Sequence, residues 1–223
     1  MVTRTRNKDE VGYTRPADSR HEQIIKAAGA LFVSKGYLKT TVREIARASG
    51  ITVGTLYHYF SSKDDILSFI QEDTSDFISN LVQEAEETLS QSGPVEALRL
   101  AIRKYFSIVN DFQDITLFWY HDTGNLQPAH QEHLLHCDEL LGEAFKRILD
   151  AGCQSGEFKQ HDTTLTAHDI IVLGDMWAFR RWFLRKHYTF AQYATEQIDL
   201  ILSAITNNRF QRQVLERRAE KTR

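Results

Sequence analysis

The chain has 223 residues, of which 42% are hydrophobic and 26% charged, and its formal net charge is −3. This length supports one or two domains with a sizeable core. The chain has two cysteines, Cys137 and Cys153, which argue against a disulfide framework or a cysteine-based zinc site. No apolar run approaches the length of a membrane span, so we expect no membrane association and a reducing, cytoplasmic location.

The charge is unevenly distributed along the chain. Residues 1–63 contain eleven Lys/Arg and five Asp/Glu, a net charge of +6, and residues 209–223 add +4, whereas 64–208 carry −13. Cations concentrated at the ends favour a polyphosphate partner there, and the acidic middle disfavours one elsewhere. We therefore predict a flexible basic arm over 1–18 and a basic tail over 209–223.

Helix signals begin at residue 19. An apolar stripe predicts a first helix that stops near Gly36. Thr41 stands three residues before Glu44, which is the spacing of a capping box, so a second helix begins there. Gly50 suits the left-handed backbone that ends this helix after about two turns.

A third helix is predicted directly after this turn, with Thr52 as its cap and Val53, Leu56 and Phe60 on one apolar face. The other face carries Thr55, Tyr57, His58 and Tyr59. Two tyrosines and a histidine on a solvated face indicate a surface that meets a ligand, and phenolic hydroxyls suit phosphate oxygens. Two short helices around a tight turn predict a helix-turn-helix that reads DNA. Packing of the tyrosines on the preceding helix is the alternative.

The rest of the chain has helical periodicity and few helix-breaking glycine or proline residues. It predicts helices over 62–91, 94–111, 113–122, 127–152, 163–186 and 189–206, and no strand. The 163–186 segment has no clean polar face, so we expect it to be buried on more than one side. The predicted fold class is all-α, with a three-helix DNA-binding domain over 19–64 and a larger helical domain for ligand binding and dimerisation over 65–208.

The run from Phe32 to Leu67 resembles the N-terminal signature of the TetR family of transcriptional regulators. The matching positions are Phe32, Gly36, Thr41, Ile45, Ala46, Gly50, Gly54 to Tyr57, Phe60 and Lys63. The resemblance implies a dimer whose third helix enters the major groove of a two-fold symmetric operator. It also implies that Thr55 lies near bases, whereas Thr41, Tyr57, Tyr59 and Lys63 contact the DNA backbone.

Arg43 is the strongest candidate for reading a base, because a guanidinium can pair bidentately with guanine. Val53 departs from the family pattern, in which a lysine or another polar residue is common, and it suits a thymine methyl instead. The predicted DNA-binding residues are Thr41, Arg43, Thr52, Val53, Gly54, Thr55, Tyr57, His58, Tyr59 and Lys63.

The C-terminal half is similar to the ligand domain of TetR members that control lipid, sterol-ring or fatty-acid breakdown and sense acyl-coenzyme A thioesters. The similar elements are Phe118 to Asp122, Ala151 to Phe158 and Trp177 to Tyr188. Aromatic side chains here suit an apolar cavity, and the arginines suit a phosphate or carboxylate of the ligand. The predicted ligand-binding residues are Phe112, Phe118, Trp119, His121, His130, Trp177, Phe179, Arg180 and Arg181. The alternative is that the aromatics form ordinary core or dimer interface.

Together these features predict a ligand-responsive repressor that requires no cofactor and binds double-stranded DNA. It dimerises through helices 163–186 and 189–206, and a small apolar or acyl-CoA-like effector acts through the 62–91 helix to release the operator. Two alternatives remain. The region of His121, His130 and His133 suits a metal-responsive regulator, and a helical hydrolase is disfavoured because the sequence lacks a phosphate loop, a nucleophile elbow and a His-Glu-x-x-His motif.

Overall fold

The computed structural model describes residues 19–207, so the predicted arm 1–18 and tail 209–223 lie outside the described residues. This range contains ten α-helices and a 3-10 turn, Thr123–Asn125. The helices are α1 (Ser19–Lys35), α2 (Val42–Ala48), α3 (Val53–Tyr59), α4 (Lys63–Ser92), α5 (Pro94–Asp111), α6 (Gln113–Asp122), α7 (Pro128–Ser155), α8 (Thr163–Phe179), α9 (Arg181–Leu184) and α10 (Phe190–Ile205). Between residues 19 and 207, β-type pairing is limited to one isolated bridge, Phe158 to Thr206. The prediction of an all-α fold is confirmed.

The observed helix boundaries lie close to the predicted ones, with one exception. The predicted continuous helix over 163–186 is wrong, because Arg180 leaves the helical conformation (φ −104°, ψ 21°) and separates α8 from α9. After this break, Arg181 and Arg185 hydrogen-bond to Asp114 and Gln113 at the start of α6. An unbroken helix does not provide this turn toward α6.

The core of the predicted DNA-binding domain, the DNA-binding core, is built from α1 to α4 and from α6. Phe32 of α1 is fully buried, and its ring centroid lies 4.8 Å from that of Phe118 in α6. Burying a phenylalanine side chain contributes roughly 1.5–3 kcal/mol relative to leaving it exposed. Ile115 of α6 belongs to the same core. Helix α6 therefore joins the DNA-binding core, although it follows the first three helices by more than fifty residues of sequence.

The second core lies between α4, α5, α7, α8 and α10. Helices α5 and α8 approach closely at Gly174, where an added Cβ would lie 2.7 Å from Cε1 of Tyr105. The Tyr193 hydroxyl of α10 donates to the Leu173 carbonyl at 2.5 Å, which joins α10 to α8. The larger domain is therefore a tightly packed helical bundle, and its packing fixes the walls of a cavity.

Candidate DNA-recognition helices and effector cavity

Helices α2 and α3 are each held by a side-chain cap. The Glu44 amide donates to the Thr41 hydroxyl at 3.3 Å, and the Thr41 amide donates to the Glu44 carboxylate at 2.9 Å. Lys35 at the end of α1 forms an ion pair with the same carboxylate. Hydrogen bonds from Lys35 and then from Thr41 lower the pKa of Glu44 to about 2. The start of α2 is thus linked to the end of α1.

The cap of α3 uses Thr52, whose hydroxyl accepts from the Thr55 amide at 3.0 Å. The two threonine hydroxyls also pair with each other at 2.8 Å. Six of the predicted DNA-binding residues are exposed: Thr41, Arg43, Thr52, Gly54, Tyr57 and His58. They lie on α2 and α3, which contact each other, and on the N-caps of these helices.

Three other predicted DNA-binding residues make contacts inside the protein. Val53 and Tyr59 are half-buried against the DNA-binding core, and the Tyr59 ring lies edge-on to His21 at 4.9 Å. Lys63 donates to the Tyr37 carbonyl at 2.6 Å, and its ammonium group lies 4.1 Å from the centroid of the Tyr37 ring. Burial lowers the pKa of Lys63. For these residues a DNA contact stays a prediction, and packing is the role that the structure assigns.

A cavity of about 400 Å³ opens between the two cores. Its lining consists of Ile25, Ile70, Asp73, Thr74, Phe77, Ile78, Tyr105, Ile108, Val109, Phe112, Ile115, Thr116, Trp119, Tyr120, Thr123, Leu134, Leu135, Cys137, Asp138, Leu141 and Asp175. This volume suits a small ligand, because ligand pockets usually measure about 300–1,000 Å³. Its mostly apolar lining is also typical of such pockets. Ile25 and Ile115 line the cavity and also belong to the DNA-binding core.

Two of the predicted ligand-binding residues, Phe112 and Trp119, line this cavity. Phe118, in contrast, points into the DNA-binding core beside Phe32. Trp177 packs in the larger core, where its indole N–H donates to the Asn110 side chain at 2.8 Å. Phe118 and Trp177 therefore pack against other core residues, and neither faces the cavity that was predicted to hold the ligand.

The remaining predicted ligand-binding residues lie outside the cavity lining. His121 is exposed beside Phe179, and the ring of Phe179 packs edge-on against Tyr120 at 4.8 Å. Arg181 donates to the Asp114 carboxylate at 2.6 Å. Arg180 is exposed, with its guanidinium 5.2 Å from the centroid of the Trp182 indole. Arg180 is therefore exposed, Arg181 is half-buried against the start of α6, and neither belongs to the cavity lining.

The histidines of α7 connect this helix to α4. The Gln71 amide donates to the His130 carbonyl at 2.8 Å, and its oxygen lies 2.5 Å from Nδ1 of the same histidine. Nε2 of His133 lies 3.0 Å from the Ser75 hydroxyl. Within residues 19–207 no group of three or more His, Cys, Asp and Glu side chains is arranged to hold a metal ion. The geometry thus assigns these histidines an interhelical role.

Sequence reasoning missed the main polar group of the cavity. Asp175 is 3% exposed, and its two carboxylate oxygens accept from Tyr105 at 2.6 Å and from Tyr120 at 2.7 Å. Burial raises the pKa of Asp175, although the two phenol hydrogen bonds oppose the rise. The signal for this site was an isolated carboxylate within the apolar run of 170–179, because a buried acid requires partners.

Described residues include no helix that is both long and apolar enough to cross a membrane. Two family models match the chain. One, described as bacterial regulatory proteins of the tetR family, covers residues 24–68, and the other, a tetracyclin repressor-like C-terminal domain, covers residues 91–205. Together they include most residues of both cores, except for Ile70, Ile78, Leu81 and Ala85 of α4.

Two relatives match most of the chain. The regulator HbdR of Aromatoleum sp. (strain CIB) is 27% identical over 185 residues, which are 83% of this chain and 80% of HbdR. The fatty acid metabolism regulator protein of Bacillus subtilis (strain 168) is 27% identical over 194 residues, which are 84% of this chain and 96% of that protein.

Solved structures share the fold. The ketosteroid transcriptional regulator KstR2 of Mycobacterium tuberculosis has a TM-score of 0.71 and 22% identity, covering 86% of this chain and 97% of KstR2. AibR, in complex with isovaleryl coenzyme A and operator DNA, has a TM-score of 0.55 and 21% identity, covering 81% of this chain and 97% of AibR. The two family models show that the chain belongs to the TetR family and, together with the relatives, that it is a ligand-responsive, DNA-binding transcriptional regulator.

Proposed function

We propose that this chain is a repressor that binds a two-fold symmetric operator as a homodimer and is released when an acyl-CoA thioester enters the cavity. One observation carries the proposal: Ile25 and Ile115 belong both to the cavity wall and to the DNA-binding core. A ligand that changes the packing of these side chains changes the position of α1 and α6 together. By linkage, it weakens DNA binding if it prefers the DNA-incompetent arrangement.

The DNA contacts are proposed for the exposed residues of α2 and α3 and their caps. Arg43 is exposed and has no ion-pair partner among residues 19–207, so its guanidinium is available to a base edge. Tyr57 is 53% exposed, which makes its hydroxyl available to a phosphate oxygen. Operator binding by such a surface weakens strongly as salt rises, because phosphate contacts release counterions.

Dimerisation is proposed through the outer faces of α8 and α10, where Leu165 and Leu200 are exposed. The two helices from each protomer would pack as a four-helix interface around a two-fold axis. This arrangement sets the spacing of the two recognition helices, which must lie about one turn of DNA apart.

An acyl-CoA effector is supported by the shape and charge of the ligand domain. The lining of the cavity is mostly apolar and suits an acyl chain. Arg180 has no carboxylate partner within residues 19–207, whereas Arg181 is paired with Asp114, so Arg180 is the favoured partner for a phosphate. The relative in Bacillus subtilis is a fatty acid metabolism regulator, and the fold of AibR accommodates isovaleryl coenzyme A.

The proposal is tested by fluorescence anisotropy of labelled promoter DNA from the chain's own gene neighbourhood, titrated with acyl-CoA thioesters of increasing chain length. We expect at least one thioester to weaken DNA binding by about tenfold to a hundredfold, the usual range of allosteric coupling. Coenzyme A alone should have no effect. Equal DNA binding with every thioester would refute the effector class, and hydrolysis of the thioester during the assay would revive the enzyme alternative.

A matched pair of variants locates the effector in the cavity. Leu135 lies at the cavity rim and is 60% exposed, whereas Leu140 on the same helix is 41% exposed and outside the lining. Leu135→Trp should narrow the cavity and weaken the effect of the thioester about tenfold, a modest steric penalty. Leu140→Trp should leave it unchanged, and both variants should bind DNA normally. Equal responses of the two variants would place the effector elsewhere.

A further inference from the structure

The polar atoms of the cavity wall are almost all hydrogen-bond acceptors. Five lining residues carry hydroxyl groups, and each has an acceptor within the protein, although the contact of Thr116 is long, at 3.5 Å. Tyr105 and Tyr120 donate to Asp175. The three threonines of the lining, Thr74, Thr116 and Thr123, donate to the helix carbonyls of Ile70, Phe112 and Trp119. Each hydroxyl oxygen keeps acceptor capacity, and four of the five hydroxyl hydrogens are engaged, so Thr116 is the one hydroxyl whose hydrogen can turn to a ligand.

The charged residues of the lining add acceptors and no cation. They are Asp73, Asp138 and Asp175, and the lining contains no Lys, Arg, His, Asn or Gln within the described chain. The Cys137 thiol pairs with the Ser75 hydroxyl. Among residues 19–207, the indole N–H of Trp119 is therefore the one lining nitrogen that can donate to a ligand. A ligand carboxylate or ketone needs donors, and this wall offers few.

We propose that the cavity selects an apolar ligand that carries a hydroxyl group, and that this hydroxyl donates to the Asp175 carboxylate between Tyr105 and Tyr120. The inference deepens the proposed function, since it names the kind of acyl or ring portion that the cavity takes. A neutral hydroxyl fits better than an ammonium group. The two phenol hydrogens already stabilise the Asp175 charge, and an ammonium would lose its hydration among mostly apolar side chains.

The test compares three ligands of the same size and shape: 2-decalol, its ketone 2-decalone and the corresponding amine. Isothermal titration calorimetry on the intact protein at pH 8, without DNA, gives the three dissociation constants. We expect the alcohol to bind about tenfold more tightly than the ketone, since a hydrogen bond to a charged acceptor is worth roughly that factor. Equal affinities, tighter binding of the ketone or the amine, or no binding by any of them would overturn the inference.

Substitution of the acceptor should reverse the preference. In Asp175→Asn the amide N–H₂ supplies a donor to the wall, so the ketone should gain affinity and the alcohol-to-ketone ratio should fall below about threefold. Asp169→Asn is the matched control, because Asp169 lies on the exposed face of the same helix, and it should keep the wild-type ratio. An unchanged alcohol-to-ketone ratio in Asp175→Asn would show that Asp175 is not the acceptor for the ligand hydroxyl.

A second variant keeps the inference testable if Asp175→Asn fails to fold. Tyr120→Phe removes one phenol hydrogen from Asp175 and frees one carboxylate oxygen, so the preference for the alcohol should be kept or increased. A fall of the ratio to one in Tyr120→Phe would contradict the inference. These binding ratios do not depend on operator release, so failure of the thioesters to release DNA would reject the proposed effector and leave the ligand preference standing.

Discussion

The recognition helices and the cavity differ in how their functional side chains are brought together. On α2 and α3 and their caps most candidate residues are exposed, and local caps such as the one at Thr41 and Glu44 hold the backbone. In the cavity, Tyr105 of α5 and Tyr120 of α6 meet Asp175 of α8, which lies 55 residues beyond Tyr120 in the sequence. A surface made from consecutive residues is visible in the sequence, whereas a wall assembled by packing is not.

The largest effect is expected at Gly174 of α8, which packs closely against Tyr105 of the cavity wall. Gly174→Ala would place a Cβ 2.7 Å from Cε1 of Tyr105 and 2.8 Å from Cδ1 of Phe106. Both atoms belong to rigid rings, so we expect a loss of about 3 kcal/mol in the free energy of unfolding. Ligand binding should also weaken, because Tyr105 moves away from Asp175. Urea unfolding followed by circular dichroism measures the change.

The control for this substitution is Gly142→Ala on α7, where an added Cβ meets no atom within 4 Å. This change should be neutral or stabilise the helix by up to about 1 kcal/mol, since alanine is the better helix former. A similar loss in both variants would show that the cavity wall is no more tightly packed than the surface.

The second effect concerns the recognition surface. Arg43→Ala should relax operator sequence preference by about 2 kcal/mol at the position that it reads, because a bidentate contact to guanine is lost. Lys63→Ala should weaken binding to all sequences alike and reduce stability, since Lys63 contacts the Tyr37 carbonyl and ring. Titrations at fixed salt against operator and mutated operators separate the two results. Unchanged preference in Arg43→Ala would withdraw its base-reading role.

The third effect joins the two regions. Gly29→Ala on α1 would place a Cβ 2.6 Å from Cδ1 of Ile115, which lines the cavity. This atom is the end of a flexible side chain, so the loss of stability should be near 1 kcal/mol. The ratio of operator affinities without and with effector should become smaller. The added methyl group already displaces the Ile115 side chain, so the effector can move it less. An unchanged ratio, as expected for Gly142→Ala, would place the coupling elsewhere.

The smallest effect is the pH dependence of the α2 cap. The folded pKa of Glu44 is about 2 and its ordinary value is 4.5. Its contribution to stability is therefore fully present above pH 4.5 and is lost as the pH falls from 4.5 toward 2. In Glu44→Gln this part of the acid sensitivity should disappear, as measured by urea unfolding at several pH values. Equal acid sensitivity in both proteins would show that the cap does not titrate.

The cavity should show the opposite sign. Burial raises the pKa of Asp175 above its ordinary 3.8. A carboxyl with a raised folded pKa contributes most below its ordinary value, and this contribution is lost as the pH rises through the folded pKa. In Asp175→Asn, this decrease of the free energy of unfolding with rising pH should therefore disappear. In Asp169→Asn it should remain. The two regions then respond to acid in opposite directions.

The fold was predictable from sequence to a large extent because its signals are local. The caps at Thr41 and Thr52 each form as the sequence predicts. Helix α5 begins at Pro94 and ends at Asp111, as predicted. The one wrong helix, 163–186, carries no proline or glycine at its break, so nothing local marked Arg180 as the end of α8.

The candidate ligand site was less predictable. Phe112 and Trp119 line the cavity, and their contact with a ligand stays a prediction, whereas Phe118, their close neighbour, packs in the DNA-binding core. Adjacent helical residues point in directions about 100° apart, so which of them faces a cavity depends on where the neighbouring helices lie. An aromatic side chain alone carries no information about that choice.

By itself, the sequence determined the helices, the capped helix-turn-helix, the separation of charge and the family. These properties depend on residues within a few turns of each other or on composition, so no long-range contact is needed to predict them. Only the tertiary structure decided that α6 packs into the DNA-binding core, that Ile25 and Ile115 serve two regions, and that Asp175 receives two phenol hydrogen bonds. The physical reason is that packing between helices distant in sequence determines which side chains are buried together, and burial sets the chemistry of the cavity.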